Sequence, residues 1–229
     1  DLMGIARSLL NRQASCSPPQ SGIYWNLRSL VRHRRKLVNI TTEVRNRIHS
    51  VVDRLFPGFL DESNNGILPF SNSCLWLMHN RFSAPQICRR KRAALIEALR
   101  CRGTNKPEEA AERLQTYASQ VLKPPPAHTQ TLQLSIAQHV KHFKCLQESI
   151  GQLETEIAIT LAQTPGAFLT SVRGIGIVLA AGVTAEIGNP SEQKPLNNLV
   201  SYCGIIPRVK QTGGPQGQTQ TGKVAKRCN

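Results

Sequence analysis

The chain has 229 residues, which is enough for one large or two small domains. Its 29 Lys and Arg stand against 14 Asp and Glu, and the net charge of +15 indicates a polyanionic partner, nucleic acid before an anionic membrane surface. The most apolar segment, 168–187, is interrupted by Arg173 and Glu186 and lacks the run of roughly 20 uncharged residues that spans a bilayer, so we expect no membrane partner.

Cysteine usage and the two ends of the sequence bear on location and completeness. The seven cysteines are odd in number and none is spaced as CxxC, so we predict no structural zinc site. We expect free thiols in a reducing compartment, the cytoplasm, and recognise no signal peptide. The chain opens on Asp1 and closes on Asn229 within a basic run, so we expect a fragment of a longer protein.

Two helices are predicted in the first quarter of the chain. A short helix over 2–10 precedes a loop containing Pro18-Pro19, and a long helix follows over about 24–55. Pro57-Gly58 ends the long helix. It is predicted because apolar residues recur at spacings of mostly three and four: Leu27, Leu30, Leu37, Val44, Ile48, Val51 and Leu55.

The middle of the chain gives weaker signals. The segment 57–92 is broken by glycine and proline, and its structure stays ambiguous. Two further helices are predicted over 88–102 and 107–122, the second because proline and two acids suit the first turn of a helix. Three prolines at 124–126 predict a firm break.

A second long helix is predicted over about 131–163. Its apolar seam can pair with the first long helix as an intramolecular hairpin or with a second copy of the chain, and both alternatives stay open. The glycine-containing segment 164–229 predicts short helices joined by turns, and strand signals are weak throughout. The predicted fold is therefore mainly α. The seam consists of Ile136, Val140, Phe143, Leu146, Ile150, Leu153, Ile157 and Leu161.

Two basic blocks predict contact with phosphate. Charge runs on helices are usually solvated faces, yet these two are unbalanced by acids in a strongly cationic chain. Such contacts give salt-dependent affinity with little sequence choice, and Arg32 and Arg35 are the candidates on the first long helix. The first block is Arg28, Arg32, Arg34, Arg35, Lys36, Arg45 and Arg47; the second is Arg89, Arg90, Lys91, Arg92, Arg100 and Arg102.

An apolar turn, Gly174-Ile175-Gly176, is followed directly by a helix predicted to run to about Ile187. This pattern resembles a helix–hairpin–helix element, in which glycines let the backbone approach a phosphate and the free amides of the next helix start receive its charge. Arg173, Gly174 and Gly176 are therefore candidate nucleic-acid contacts. The alternative is a tight turn that only packs two helices together.

The final segment presents a hydroxyl beside two glycines, Thr212-Gly213-Gly214, among cations and without an acid. A nucleophile for phosphoryl transfer is presented in this way, because glycines permit close approach and cations stabilise negative charge developing on the phosphate. A flexible tail is the alternative. The candidate catalytic residues are Thr212 and Gly213, and the candidate phosphate contacts are Arg208, Lys210, Lys223, Lys226 and Arg227.

At these residues the sequence resembles a known family. The run 172–229 resembles the C-terminal domain of bridge-RNA-guided insertion-sequence transposases, which join a DEDD, RuvC-like domain to a serine-type transposase domain. The family's Pro-Gly-Ile-Gly turn is similar to Arg173–Gly176, and its Tyr/Phe-x-Gly-x-x-Pro element to Tyr202–Pro207. Its Ser-Gly pair corresponds to Thr212-Gly213, and its Lys-x-Gly-Asn to 226–229.

The front of the chain is similar to the same family. The run 1–6 resembles the end of the family's acidic motif, which makes Asp1 the last acid of the DEDD set. The run 27–57 resembles the linker helix that follows. The resemblance implies a remnant of the DEDD domain over 1–20, a helical or coiled-coil linker over 21–163, and a truncated transposase domain with a helix–hairpin–helix turn over 164–229.

The resemblance also implies activity and partners. Clustered carboxylates would bind Mg²⁺, with Asp1 as the metal ligand in this chain, and a hydroxyl would attack the scissile phosphate during DNA recombination. DNA, a guide RNA and a second copy of the chain are the implied partners, in a bacterial cytoplasm close to the nucleoid.

The chain departs from the family at Thr212, where serine is expected, and at Cys228, where glycine is expected. The other DEDD acids are also absent, so we expect this fragment alone to be inactive. Two alternatives to the transposase hypothesis are a catalytically dead remnant that only binds nucleic acid and a structural coiled-coil protein whose charge is incidental.

Overall fold

The computed structural model describes residues 2–11, 22–80, 83–189, 209–211 and 219–221, and in these the protein is mainly α, as predicted. The α-helices are α1 (Leu2–Leu10), α2 (Gly22–Leu55), α3 (Glu62–Asn65), α4 (Asn72–His79), α5 (Ala84–Arg89), α6 (Arg92–Arg100), α7 (Pro107–Gln120), α8 (Pro126–Ala162) and α9 (Ile177–Ile187). A 3₁₀ helix spans Pro165–Ser171, and two short strands are β1 (Val209–Gln211) and β2 (Thr219–Thr221).

The two long helices lie where the apolar periodicity predicts them. Helix α2 ends at Leu55, directly before Pro57-Gly58. Helix α8 begins at Pro126, earlier than predicted, because a proline in the first turn needs no N–H partner and has a backbone angle that suits a helix start. The three prolines therefore mark the beginning of a helix as well as a break.

The segment 57–92, ambiguous in sequence, forms short helices with side-chain caps. Asp61 accepts a hydrogen bond from the Ser63 amide at 3.0 Å, and Ser71 accepts one from the Cys74 amide at 3.3 Å. Each cap satisfies an amide that has no partner within its own helix, so these short helices depend on local polar contacts and on burial rather than on a long apolar stripe.

The single helix predicted over 88–102 is wrong, because two helices, α5 and α6, cover this part of the chain. They are separated by Arg90 and Lys91, whose backbone is extended, with ψ of 137° and 129°. The Arg90 guanidinium donates to the Asn80 carbonyl at 3.3 Å and lies over the Trp76 ring, 5.2 Å from its centroid. These tertiary contacts favour a bend where local propensity predicts continuity.

The chain divides into two compact units. The first unit comprises 1–33 and 154–229, and the second comprises 34–153, so both divisions fall inside α2 and α8. The domain boundaries predicted at 20/21 and 163/164 rest on the family resemblance, whereas the two compact units are defined by packing. The predicted boundaries therefore stay predictions.

Each unit has its own apolar core. In the first unit the core joins α2, α8 and α9 through Leu27, Ile157, Leu161, Ala180, Ala181 and Ala185. In the second unit, α2 and α8 pack with the short helices around a larger core, whose biggest fully buried side chains include Phe56, Phe59, Ile48, Met78, Leu95, Leu99, Leu114 and Ile136.

The seam of α8 is used inside the chain. Ile136, Val140 and Ile157 are fully buried, and Phe143 and Leu161 are 2% exposed, all in cores to which α2 also contributes. This burial favours the intramolecular hairpin over a coiled coil with a second copy, because the same side chains cannot serve both.

The C-terminal region is small and helical up to Asn189, and it includes a short antiparallel pair in which Val209 lies opposite Thr221. Among the described residues, no helix combines the length and apolarity needed to cross a membrane.

Candidate nucleic-acid interface

The predicted turn and the start of its second helix lie where the sequence places them. Gly174 has φ of +95°, a conformation that side chains strongly disfavour, and the Ile175 amide donates to the Val172 carbonyl at 3.0 Å. Helix α9 then begins at Ile177, with Gly176 in extended conformation as its N-cap. Among the described residues no side chain caps this end of α9, so its first amides can donate to an external acceptor such as a phosphate.

The surroundings of the turn leave its backbone accessible. A Cβ placed on Gly174 or Gly176 would meet no other atom within 4 Å. Arg173 is exposed, and so are Val172 and Ile177, at 51% and 48%. A cation and two open backbone positions therefore share one surface of the first unit.

Close packing fixes the other side of α9. A Cβ on Gly166 would lie 2.6 Å from Cγ2 of Thr184 and 2.8 Å from its Cβ, so glycine is required where the 3₁₀ helix meets α9. Ala180, Ala181 and Ala185 contribute the small side chains on the buried face of α9. The turn is thus presented by a helix whose position is set by close contacts.

Glu186 joins α9 to α2 through two arginines. Its carboxylate accepts from Nη2 of Arg28 at 2.7 Å and from Nη2 of Arg32 at 3.1 Å. Burial raises the pKa of this carboxyl, but the hydrogen bonds from Arg28 and Arg32, with their charges, outweigh burial and leave the pKa below its usual value. Arg32, predicted to contact phosphate, is therefore already engaged by a carboxylate in the first unit.

Two arginines of the second basic block are paired with acids within the second unit. Arg92 pairs with Glu112 at 2.6 Å, and Arg100 pairs with Glu108 at 2.5 Å and with Glu97 at 3.4 Å. These acids lie on α6 and α7, which pack against the block. The paired arginines have less charge to offer a phosphate than their number in the sequence indicates.

The ring of Trp76 makes cation–π contacts with two more arginines of that block. The guanidinium carbon of Arg102 lies 4.1 Å from the centroid of its ring, and that of Arg90 lies 5.2 Å away. Arg102 also donates to the Ala98 carbonyl at 2.7 Å. These two cations therefore stabilise the fold of the second unit.

Arg35 differs from the second block. It is exposed on α2 and makes no ion pair with any residue in the described ranges. Of the two candidates Arg32 and Arg35, it is Arg35 whose charge is open to solvent.

The remaining predicted residues are only partly covered by the structure. Lys210 lies in β1. Thr212, Gly213, Arg208, Lys223, Lys226, Arg227 and Asp1 lie outside the described residues. The structure therefore brings together Arg173, Gly174 and Gly176 and leaves the proposed nucleophile untested.

In the described ranges, no three His, Cys, Asp or Glu side chains lie close enough to bind one ion. Asp1, the predicted Mg²⁺ ligand, lies outside the described residues, so the predicted metal site stays a prediction.

Two features escaped sequence reasoning. Glu186 was treated only as an interruption of an apolar segment, although its carboxylate pairs with Arg28 and Arg32 of α2. His139 and His142 on α8 were not considered, although their spacing places them on one helix face beside Arg47. A search for titratable residues on the helices predicted to pack against the arginine-rich helix would have found both features.

The C-terminal part of the chain matches a known family. Residues 166–228 match the model of the Transposase IS116/IS110/IS902 family, a segment that contains the turn, α9 and both strands. No curated protein and no solved structure matches the chain. The match supports an insertion-sequence transposase family and, with it, a transposase or recombinase role.

Proposed function

We propose that the chain is a DNA transposase or site-specific recombinase of an insertion sequence, acting by phosphoryl transfer. The observation that carries this proposal is the family match over 166–228, which includes the exposed turn at Gly174 and the uncapped start of α9. A phosphate-binding turn suits an enzyme whose substrate is the DNA backbone.

In this proposal the turn at 174–176 and the start of α9, in the first unit, contact the DNA. The open backbone at Gly174 and Gly176 receives a phosphate, the first amides of α9 donate to it, and Arg173 supplies a positive charge. Such contacts position the duplex without selecting its sequence.

The proposed chemistry uses Thr212 and Gly213. The Thr212 hydroxyl oxygen forms a bond to the scissile phosphorus, the bond from phosphorus to the leaving sugar oxygen breaks, and that oxygen takes up a proton as the hydroxyl loses its own. A phosphothreonine ester to DNA results. A sugar hydroxyl of the second strand then bonds to the phosphorus, the bond from phosphorus to the Thr212 oxygen breaks, and that oxygen takes up the proton that the sugar hydroxyl loses. Arg208, Lys210, Lys223, Lys226 and Arg227 would stabilise the charge on the phosphate oxygens.

Three partners complete the proposal. Mg²⁺, with Asp1 among its ligands, would polarise the phosphate; a guide RNA would direct the site; and two or more copies would bring the DNA ends together. These parts rest on the family resemblance, and a bacterial nucleoid is the location that fits them.

Substitutions at Thr212 test the proposal in the complete open reading frame that encodes this chain. Thr212→Ala is expected to abolish strand-exchange product and the covalent protein–DNA adduct on denaturing gels while duplex binding is retained. Thr212→Ser, the conservative control, is expected to keep or increase product because it removes only a crowding methyl group. Unchanged product from Thr212→Ala would remove this residue from the mechanism.

A remnant that binds nucleic acid without catalysis is the second candidate. It is favoured by threonine in the position where the resembled family has serine. Salt-dependent duplex binding with no product from the unsubstituted protein or from Thr212→Ser would establish this alternative.

A further inference from the structure

The second unit carries a charged face that the family match does not include. On α2, exposed residues recur every three or four positions along one stripe: Lys36, Ile40, Glu43, Arg47, Ser50 and Arg54. A second stripe lies on one face of α8, and its residues are exposed or half-buried: His128, Ser135, His139 and His142. Both stripes flank the buried positions through which these helices pack, such as Ile48 and Ile136.

The two stripes adjoin each other. The charges of Arg47 on α2 and His142 on α8 both act on His139. We call the charged residues of these stripes the α2–α8 face; they are Lys36, Glu43, Arg47, Arg54, His128, His139 and His142.

The cations of the α2–α8 face differ from the second basic block. Lys36, Arg47 and Arg54 make no ion pair with any described residue, and Glu43, the one acid of the face, forms none with Arg47 four residues on. Arg92 and Arg100 of that block are paired with acids of α6 and α7, whereas the cations of this face remain available to an external partner.

The dimensions of the face fit a nucleic-acid backbone. From Lys36 to Arg54 the helix rises about 27 Å at roughly 1.5 Å per residue. One turn of duplex is about 34 Å long and carries a charge roughly every 1.7 Å of axis, so several phosphates lie within reach. A second copy of the chain is disfavoured on this face because two positive surfaces would repel each other.

We propose that the α2–α8 face is a second phosphate-binding surface whose affinity for a nucleic-acid backbone increases as His139 takes up a proton. The proposal takes nucleic acid as the partner from the proposed function, but it requires no strand transfer. It adds a binding surface in the second unit, apart from the turn at Gly174.

The direction of the pH effect follows from the charges. Burial lowers the pKa of His139, and the charges of Arg47 and His142 lower it further, so the free protein favours the neutral imidazole. A phosphate beside it has the opposite effect, because it stabilises the charged form. Binding is thus coupled to proton uptake, and each proton taken up changes the affinity by at most about tenfold per pH unit.

The test measures the affinity of the full chain for a 20-bp DNA duplex and for an RNA duplex of the same sequence, at pH 6 and pH 8 and one ionic strength. We expect several-fold tighter binding at pH 6 for the unsubstituted protein. The variant His139→Gln is expected to lose most of this response. His79→Gln, an exposed histidine on α4, is the matched control and keeps it.

Arg47→Gln provides a second readout. It is expected to weaken binding at both pH values and to make the dependence of log affinity on log salt about one unit less steep. If His139→Gln is less well folded by circular dichroism, the exposed change His142→Gln replaces it. It removes a charge that lowers the pKa of His139, so the rise in affinity is expected to shift to higher pH.

Three outcomes overturn the proposal: an unchanged pH response in the histidine variants, an unchanged affinity in Arg47→Gln, or pH-dependent binding to phosphatidylserine vesicles with none to either duplex. The duplex whose affinity depends on pH shows whether the face binds a DNA or an RNA backbone. These binding measurements do not depend on strand transfer. A protein without strand-transfer activity would therefore contradict the proposed function and leave this inference unaffected.

Discussion

At the scale of single residues, Gly174 has the strongest conformational requirement in the candidate interface. Its φ of +95° excludes ordinary side chains, while Gly176, at −81°, tolerates them. Both positions face open space, so neither substitution causes a clash. Substitution of Gly174 therefore adds backbone strain as well as a methyl group in the path of a phosphate, whereas substitution of Gly176 adds only the methyl group.

We predict that Gly174→Ala lowers the free energy of unfolding by about 1–2 kcal/mol. Gly176→Ala should change it by less than about 0.5 kcal/mol, and both should weaken duplex binding because a methyl group stands where the phosphate approaches. Thermal unfolding and fluorescence anisotropy measure the two effects. Full affinity in Gly176→Ala would show that the turn only packs helices together.

Glu186 is a second residue with a specific expectation. Its pKa is lower in the folded protein than in the unfolded chain, so its contribution to stability is present above the unfolded value near 4.5 and is lost as the pH falls through the folded value. Glu186→Gln should therefore reduce stability at pH 7 by about 1–2 kcal/mol and by less at pH 3.

The control is Glu112→Gln, because the pair of Glu112 with Arg92 is more than half exposed and exposed pairs contribute little. Denaturant unfolding at the two pH values provides the comparison. An equal loss of stability at pH 3 and pH 7 in Glu186→Gln would contradict an ionic role for this carboxylate.

At the scale of elements, the long helices could be predicted from sequence and the short ones could not. The seams of α2 and α8 repeat over many turns, so periodicity alone locates them within a few residues. Helices α3 to α5 have only four to eight residues, and contacts such as that of Arg90 with Trp76 set their ends. Such contacts join positions that sequence reasoning cannot relate without the fold.

The candidate site shows the same limit. The turn at 174–176 was predictable because glycine spacing is a local signal. The pairing of Arg100 with Glu108, or of Arg32 with Glu186, depends on helix packing, so a count of basic residues overstates the charge available to DNA. The roles of Thr212 and Asp1 stay predictions.

The burial of the α8 seam leads to a stability prediction for that element. Ile136→Ala removes a fully buried side chain from the core shared with α2 and should lower the free energy of unfolding by about 2–5 kcal/mol. Leu134→Ala, on the same helix but 63% exposed, should lower it by less than about 1 kcal/mol. Comparable losses in the two variants, measured by denaturant unfolding, would contradict the intramolecular hairpin.

At the scale of the whole molecule, positive charge is present in both compact units. Residues 34–153 hold 18 Lys and Arg against 9 Asp and Glu, which leaves 11 against 5 for the first unit. The family match lies entirely in the first unit, whereas the α2–α8 face lies in the second. Nucleic acid is thus the partner that accounts for the turn, the charge and the match together.

The salt dependence of duplex-DNA affinity tests this account most directly. Affinity of the full chain is measured between 50 and 300 mM salt for two unrelated duplexes of equal length. A protein held by several phosphates should give a slope of log affinity against log salt of about −3 or steeper, equal for both sequences. A slope near zero, or no binding at the lowest salt, would contradict a nucleic-acid role for this protein.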